Sequence, residues 1–125
     1  MIRLYSILGG LVLVGAAAAV VWPSERDTIC AHGYAASRRP PEAWSQDLKR
    51  RMCAAVQPGA IATCMRLNEL DHVIPLCLGG EPKAGGNLAL EPWPEAHEKD
   101  RREAEACRAY CEGKLSLEAA RALFR

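Results

Sequence analysis

The stretch Leu70-Asp71-His72-Val73-Ile74-Pro75-Leu76, with Gly79-Gly80 and Asn87-Leu88 after it, decides the fold of this 125-residue chain. Residues 70–76 are partly β-branched and are interrupted by a proline, which predicts one short strand. Four glycines and a proline between residues 78 and 86 predict a loop, and residues 87–90 predict a second short strand. The sequence therefore predicts a small pair of strands around a loop.

Helical patterns flank this pair. Apolar residues recur at helical spacing after Pro41, and Pro58-Gly59 predicts the end of that helix. Residues 95–112 carry the strongest helical pattern, with Gly113 as its predicted stop and Ser116 as the cap of a last helix. Residues 30–41 resemble a loop, and residues 61–67 fit neither helix nor strand clearly. We expect an α+β fold in which helices surround the strand pair.

The first residues have the pattern of an export signal. Residues 1–3 supply one positive charge, residues 4–21 are uncharged, and a run of small residues, Ala16 to Ala19, could be cleaved. An uncleaved membrane anchor is the alternative, since residues 20–22 (Val-Val-Trp) suit a membrane interface. The expected organisation is a signal peptide or anchor over 1–21, a linker over 22–29 and one domain over 30–125. The protein is expected to be periplasmic or secreted, either free or tethered to the inner membrane through residues 4–21.

Six cysteines follow this segment, and an even number in a short exported chain predicts disulfides. Six cysteines allow fifteen pairings, and the sequence does not choose among them. Cys107 and Cys111 lie four apart in a predicted helix, where their Cβ atoms are too far apart for a bond, so we expect them not to pair together. Structural zinc is the rival interpretation, but the chain has no C-x-x-C pair.

Charge limits the range of functions. The formal net charge is +1, whereas dedicated nucleic-acid binders are usually basic over a whole domain. Tight nonspecific DNA binding is therefore not expected. Three local basic clusters remain possible contacts, namely Arg38-Arg39, Lys49-Arg50-Arg51, and Lys99 with Arg101-Arg102. Contact with phosphates is open to Lys99, Arg101 and Arg102, although such a run of charges is usually a solvated helix face.

Asp71, His72 and His97 suggest a reactive site. Carboxylate and imidazole groups bind divalent metals, and a neutral imidazole can take a proton from water. A strand pair packed against the following helix could bring these residues together. Neighbouring strand residues point to opposite faces, so Asp71 and His72 can share a site only if it wraps an irregular strand edge.

These residues resemble the HNH nuclease motif, also called the ββα-metal motif, and especially small exported bacterial proteins of this type. The resemblance extends over roughly residues 29–124, because flanking pieces also match. The matching pieces are Leu70 to Leu76, Gly79-Gly80, Asn87-Leu88, His97-x-Lys99-Asp100, Cys30-x-x-Gly33-Tyr34, Arg39-Pro40-Pro41 and Cys111-x-Gly113-Lys114-Leu115-Ser116-Leu117.

The resemblance implies a role for each site residue. His72 matches the general base, and Asn87, fifteen positions later, matches the residue that holds the loop and orients the base. Asp71 and His97 match the two metal ligands. His97 follows Asn87 by ten positions where nine is commoner, so Asp100 is a substitute ligand.

The resemblance also implies a function. It predicts a metal-dependent endonuclease that hydrolyses phosphodiester bonds of DNA or RNA with one divalent cation, Mg²⁺, Mn²⁺ or Zn²⁺. The alternative is a non-catalytic binding module of the cell envelope, with the same fold held by disulfides. The near-neutral charge favours this alternative somewhat.

Overall fold

The computed structural model describes residues 19–125. The predicted signal peptide or anchor lies almost wholly outside the described residues. Within residues 19–125 no helix has the length and apolar character needed to cross a membrane.

The predicted pair of strands is present. Strands β1 (Asn68–His72) and β2 (Leu88–Pro92) are antiparallel, and Leu70 pairs with Leu90. Strand β1 ends at His72, earlier than the pattern predicts. The Val73 N–H bonds to the backbone carbonyl of Asn87, and the backbone groups of Ile74 bond to the Asn87 side chain instead of a partner strand. The two strands form the only sheet in the described part of the chain.

Within residues 19–125, six α-helices accompany this sheet, and the fold is α+β as predicted. Their bounds are α1 Glu25–Ile29, α2 Tyr34–Arg38, α3 Glu42–Val56, α4 Ile61–Leu67, α5 Trp93–Cys111 and α6 Leu117–Ala122. The predicted helices after Pro41, over 95–112 and after Ser116 correspond to α3, α5 and α6. Gly113 follows α5 with a φ of +75°, a left-handed conformation that glycine adopts without strain.

The structure differs from the sequence prediction between residues 22 and 41. The expected linker contains α1, because the Ser24 and Asp27 side chains cap each other's backbone at its start. Ile29 at the end of α1 is buried in the core. The expected loop over 30–41 contains the short helix α2. The folded domain therefore includes part of the segment predicted as linker.

The hydrophobic core is small. Its buried members come from α1, the loop after β1, α5 and α6, namely Ile29, Leu78, Ala106, Tyr110 and Ala120. A domain of about a hundred residues buries limited apolar surface, so covalent links add much to its stability.

Three disulfides supply these links, and the predicted disulfide framework is confirmed. Cys30–Cys111 joins the end of α1 to the end of α5, Cys53–Cys64 joins α3 to α4, and Cys77–Cys107 joins the loop after β1 to α5. Cys107 and Cys111 have different partners, as expected. All six cysteines are used, which leaves none for zinc.

Candidate active site

Asn87 closes the loop that connects the two strands. Its Oδ1 accepts a hydrogen bond from the Ile74 N–H at 2.7 Å, and its Nδ2 donates to the carbonyl oxygens of Ile74 and Glu81. Gly80 lies against this contact, since a Cβ there would lie 1.9 Å from the Ile74 carbonyl oxygen. The side chain of Asn87 is thus a structural clamp on the loop that follows His72.

The closed loop fixes the imidazole of His72. The Nε2 atom lies 3.0 Å from the carbonyl oxygen of Pro82, within the same loop. A carbonyl oxygen can only accept a hydrogen bond, so Nε2 is the donor, and the tautomer that fits this bond has its lone pair on Nδ1. No other hydrogen bond to this ring occurs among residues 19–125. His72 is therefore oriented with one nitrogen free to accept a proton.

Asp71 and His72 line the same cleft, although they are neighbours on a strand. The Oδ1 atom of Asp71 accepts the backbone N–H of His72, so the carboxylate turns toward the strand end. The cleft consists of two hollows of about 280 and 170 Å³ that share Arg39, Glu69, Asp71 and His72 in their walls. The site wraps around the edge of β1.

Lys99 lies at the centre of a cluster of buried charges. Its ammonium donates to Asp71 Oδ2 and to the backbone carbonyl of His72. It also lies 3.0 Å from Glu103 Oε1 and 3.8 Å from Glu91 Oε2. The Lys99 side chain is only 7% exposed. One ammonium from α5 therefore ties together three carboxylates and the last residue of β1.

The environment of this cluster shifts its proton affinities. Burial raises the pKa of Glu103 above its ordinary value, against the opposing effect of Lys99. Burial and a hydrogen bond with Asp71 also raise the pKa of Glu91. Burial alone would lower the pKa of Lys99, but its bonds to Asp71 and Glu103 outweigh this effect, and the pKa is raised. The three carboxylates share more negative charge than one ammonium neutralises.

The other predicted site residues on α5 lie on its exposed side. His97 is exposed, and its ring centroid lies 5.7 Å from that of Trp93. Burial and the carboxylates of Asp71 and Asp100 raise the pKa of Glu69, and His97 acts against them, so His97 lies within electrostatic range of Glu69.

The predicted phosphate contacts on α5 differ in position. Arg101 is exposed and pairs with Glu98, and the Arg102 guanidinium lies 5.9 Å from the Phe124 ring centroid. The run of charges that contains Lys99 was expected on a solvated helix face, but the Lys99 ammonium faces β1 and is buried. Lys99 has no exposed charge to offer a phosphate.

Asp71, one of the two predicted metal ligands, already accepts hydrogen bonds in this arrangement. Both oxygens of Asp71 are occupied, one by the His72 N–H and the other by the Lys99 ammonium. In the part of the chain that is described, no group of three or more histidine, cysteine or acidic residues is placed to hold a metal ion. Carboxylate oxygens are the donors that Mg²⁺ prefers, but here an ammonium occupies the position between them.

The sequence marks Arg39 and Lys49 only as members of basic clusters and Glu91 only as a neighbour of the site, and it does not place Glu103 there. Glu103 follows Lys99 by four positions, a spacing that favours an ion pair on a helix, and this signal was available. Arg39 and Lys49 come from elements before β1, and no local pattern connects them with His72. The carbonyl of Pro82 carries no side-chain signal at all.

Comparison of the chain with protein-family models, with curated proteins and with solved structures found no match. The resemblance to HNH nucleases therefore depends on the residues of this chain and on their arrangement.

Proposed function

We propose that this protein is an exported HNH-type endonuclease that hydrolyses nucleic-acid phosphodiester bonds with His72 as the general base. The observation that carries the proposal is the imidazole of His72, which the Pro82 carbonyl holds in one orientation at a cleft shared with Asp71. A general base needs this combination of a fixed ring, a free nitrogen and access to the solvent.

In the proposed reaction, Nδ1 of His72 takes a proton from water as the water oxygen attacks phosphorus. The bond from phosphorus to the leaving oxygen breaks, and that oxygen acquires a proton from solvent. Asn87 keeps His72 in place through the closed loop and does not touch the substrate. Lys99 fixes the position of the His72 backbone and of the Asp71 carboxylate by donating a hydrogen bond to each.

A divalent cation bound by Asp71 and His97, with Mg²⁺, Mn²⁺ and Zn²⁺ as candidates, is a separate prediction. It would stabilise negative charge on the leaving oxygen. Lys99 already donates a hydrogen bond to one oxygen of Asp71.

The three disulfides support the exported location. Disulfides persist in oxidising compartments, such as the periplasm or the extracellular space, and are rare in the cytosol. An exported enzyme of this kind would meet nucleic acid outside the cytosol.

The test is cleavage of plasmid DNA and of RNA by the oxidised protein, with each candidate cation and with chelator. His72→Ala is expected to reduce the rate by roughly 10²–10⁴, which is typical for loss of a positioned base. His32→Ala is the matched control, because His32 is exposed and lies outside the walls of the cleft. Equal rates for wild type and His72→Ala would overturn the catalytic role, and binding without cleavage would favour the binding module.

A further inference from the structure

Two positive side chains lie in the cleft beside His72 without an acidic partner. Arg39 lines both hollows, and Lys49 lines the larger one together with Asp71 and His72. Within residues 19–125, no carboxylate oxygen lies within 4.0 Å of either charged group. Neither side chain donates a hydrogen bond to the described residues.

Lys49 is the more unusual of the two. The residue is only 8% exposed, and its ammonium lies 5.8 Å from the centroid of the Trp93 ring. Lysines are rarely buried to this degree unless they are paired, since a desolvated charge is costly. The aromatic face compensates part of this cost, and an anion in the hollow would compensate more.

Arg39 is presented by a rigid backbone. It follows the last residue of α2, its N–H donates to the Ala36 carbonyl, and two prolines come next and restrict the chain. The guanidinium can bond two phosphate oxygens at once, which a lysine cannot do.

Three carboxylates also line the larger hollow, those of Glu42, Glu69 and Asp71, but none of them forms an ion pair with Arg39 or Lys49. Asp71 pairs with Lys99, and Glu42 accepts a hydrogen bond from the Gln46 amide at 2.7 Å. Glu69 lies within electrostatic range of Lys49, which opposes the rise in the pKa of Glu69 that burial causes. The larger hollow thus holds two positive groups without a close acidic partner, and His72 lines the same hollow.

We propose that Arg39 and Lys49 form a phosphate-binding subsite that holds the nonbridging oxygens of a nucleic-acid phosphodiester beside His72. The inference rests on the proposed function, since it takes that phosphodiester as the ligand. It deepens the function by assigning substrate binding to the elements before β1 and not to the exposed face of α5.

The first experiment measures binding of a short fluorescein-labelled single-stranded DNA to the oxidised full-length chain by fluorescence anisotropy, over a series of salt concentrations. All proteins carry His72→Ala, so that cleavage during the binding measurement is strongly reduced. Removing one phosphate contact lowers the slope of log K against log salt by about 0.7 for a single strand. We expect this decrease for Arg39→Ala and for Lys49→Met, which keeps the apolar stem.

Arg38→Ala is the matched control, because Arg38 carries the same charge one position earlier and is exposed outside both hollows. For Arg38→Ala, the slope of log K against log salt is expected to equal that of the His72→Ala parent protein. Equal decreases for Arg38→Ala and Arg39→Ala, or no decrease for either, would overturn the subsite. Disulfide mass mapping and circular dichroism identify any variant that fails to fold, and Arg39→Lys then replaces Arg39→Ala.

The second experiment separates this inference from the proposed function. With His72 present, Arg39→Ala is expected to raise KM for the oligonucleotide about tenfold, the effect of losing roughly 1.4 kcal/mol of binding, and Arg38→Ala to leave KM unchanged. If the slopes fall as expected but no protein cleaves, the subsite stands and the nuclease proposal fails. If cleavage occurs but Arg39→Ala behaves like Arg38→Ala, the nuclease stands and the subsite fails. Tighter binding of a sulfated polysaccharide, with the same dependence on Arg39, would refute a nucleic-acid ligand.

Discussion

Replacing Lys99 by methionine tests the charge cluster between α5 and the sheet. Methionine matches the length of the lysine stem, so the change removes the ammonium and leaves most of the packing intact. Three carboxylates then face one another without a cation, and the carbonyl of His72 loses its donor. We expect a large loss of stability.

The distances give the magnitude. At an effective dielectric constant of about 20, charges separated by the Lys99–Glu103 distance attract by about 5.5 kcal/mol, and those separated by the Lys99–Glu91 distance by about 4.4 kcal/mol. The desolvation of the ammonium offsets much of this attraction. Breaking a buried ion pair on one side usually costs about 3–5 kcal/mol. The carboxylates keep 15% to 24% of their exposure, so we take the lower end, about 3 kcal/mol.

Thermal unfolding of the oxidised protein at neutral pH and low salt measures the effect. A loss of about 3 kcal/mol corresponds to a decrease in Tm of roughly 10–20 °C for a domain of this size. Lys114→Met is the matched control, because Lys114 pairs with Glu112 on the surface, where ion pairs contribute about 0–1 kcal/mol. If Lys99→Met lowers Tm no more than Lys114→Met does, the reasoning about the cluster is wrong.

Three further predictions concern the stability of the folded domain. Gly80→Ala is expected to lower the free energy of unfolding, measured by urea titration, by more than about 2 kcal/mol, because the added methyl group would clash with the Ile74 carbonyl. Gly59→Ala is the control, since a methyl group at Gly59 would meet no other atom. Replacing both cysteines of Cys30–Cys111 by serine should lower the free energy of unfolding by about 4.5 kcal/mol, because this disulfide closes a long loop. The same change at Cys53–Cys64, which closes a short loop, should lower it by about 3 kcal/mol. Equal urea midpoints for the two variants would contradict the chain-entropy argument. Hydrogen bonds from Ser24 lower the pKa of Asp27 in the folded protein. The contribution of Asp27 to stability is therefore complete above the ordinary pKa of an aspartate, and it is lost as the pH falls through the lowered pKa. The stability difference between wild type and Asp27→Asn should therefore shrink in acid, and a difference that grows would refute the sign.

The parts of the fold that depend on local signals could be predicted from the sequence. The strands, α3 and α5 have long or clearly bounded patterns, and Gly113 and Ser116 mark helix ends. Helices α1 and α2 have five residues each, too few for a periodic pattern, and their stability comes from tertiary contacts. The Ser24-x-x-Asp27 capping signal was present, but the polar composition around it favoured a linker.

The residues of the candidate site also divide into those that the sequence predicts and those that it does not. The role of Asn87 as a clamp and the position of Asp71 and His72 at a strand edge followed from the motif and from strand geometry. The location of Lys99 did not, because helical periodicity shows which residues share a face but not which face the sheet covers. Arg39 reaches the cleft only through long-range packing, which one sequence does not encode locally.

The positions of the disulfides along α5 have a consequence for motion. Both covalent ties of this helix, Cys107 and Cys111, lie in its last five residues, whereas the first seven residues, 93–99, are held by noncovalent contacts alone. Local opening costs least where few constraints act. Backbone amides near the start of α5 should therefore exchange with deuterium faster than those near its end. The start of α5, where Trp93 lines the larger hollow, is thus the end of the helix with most freedom to move.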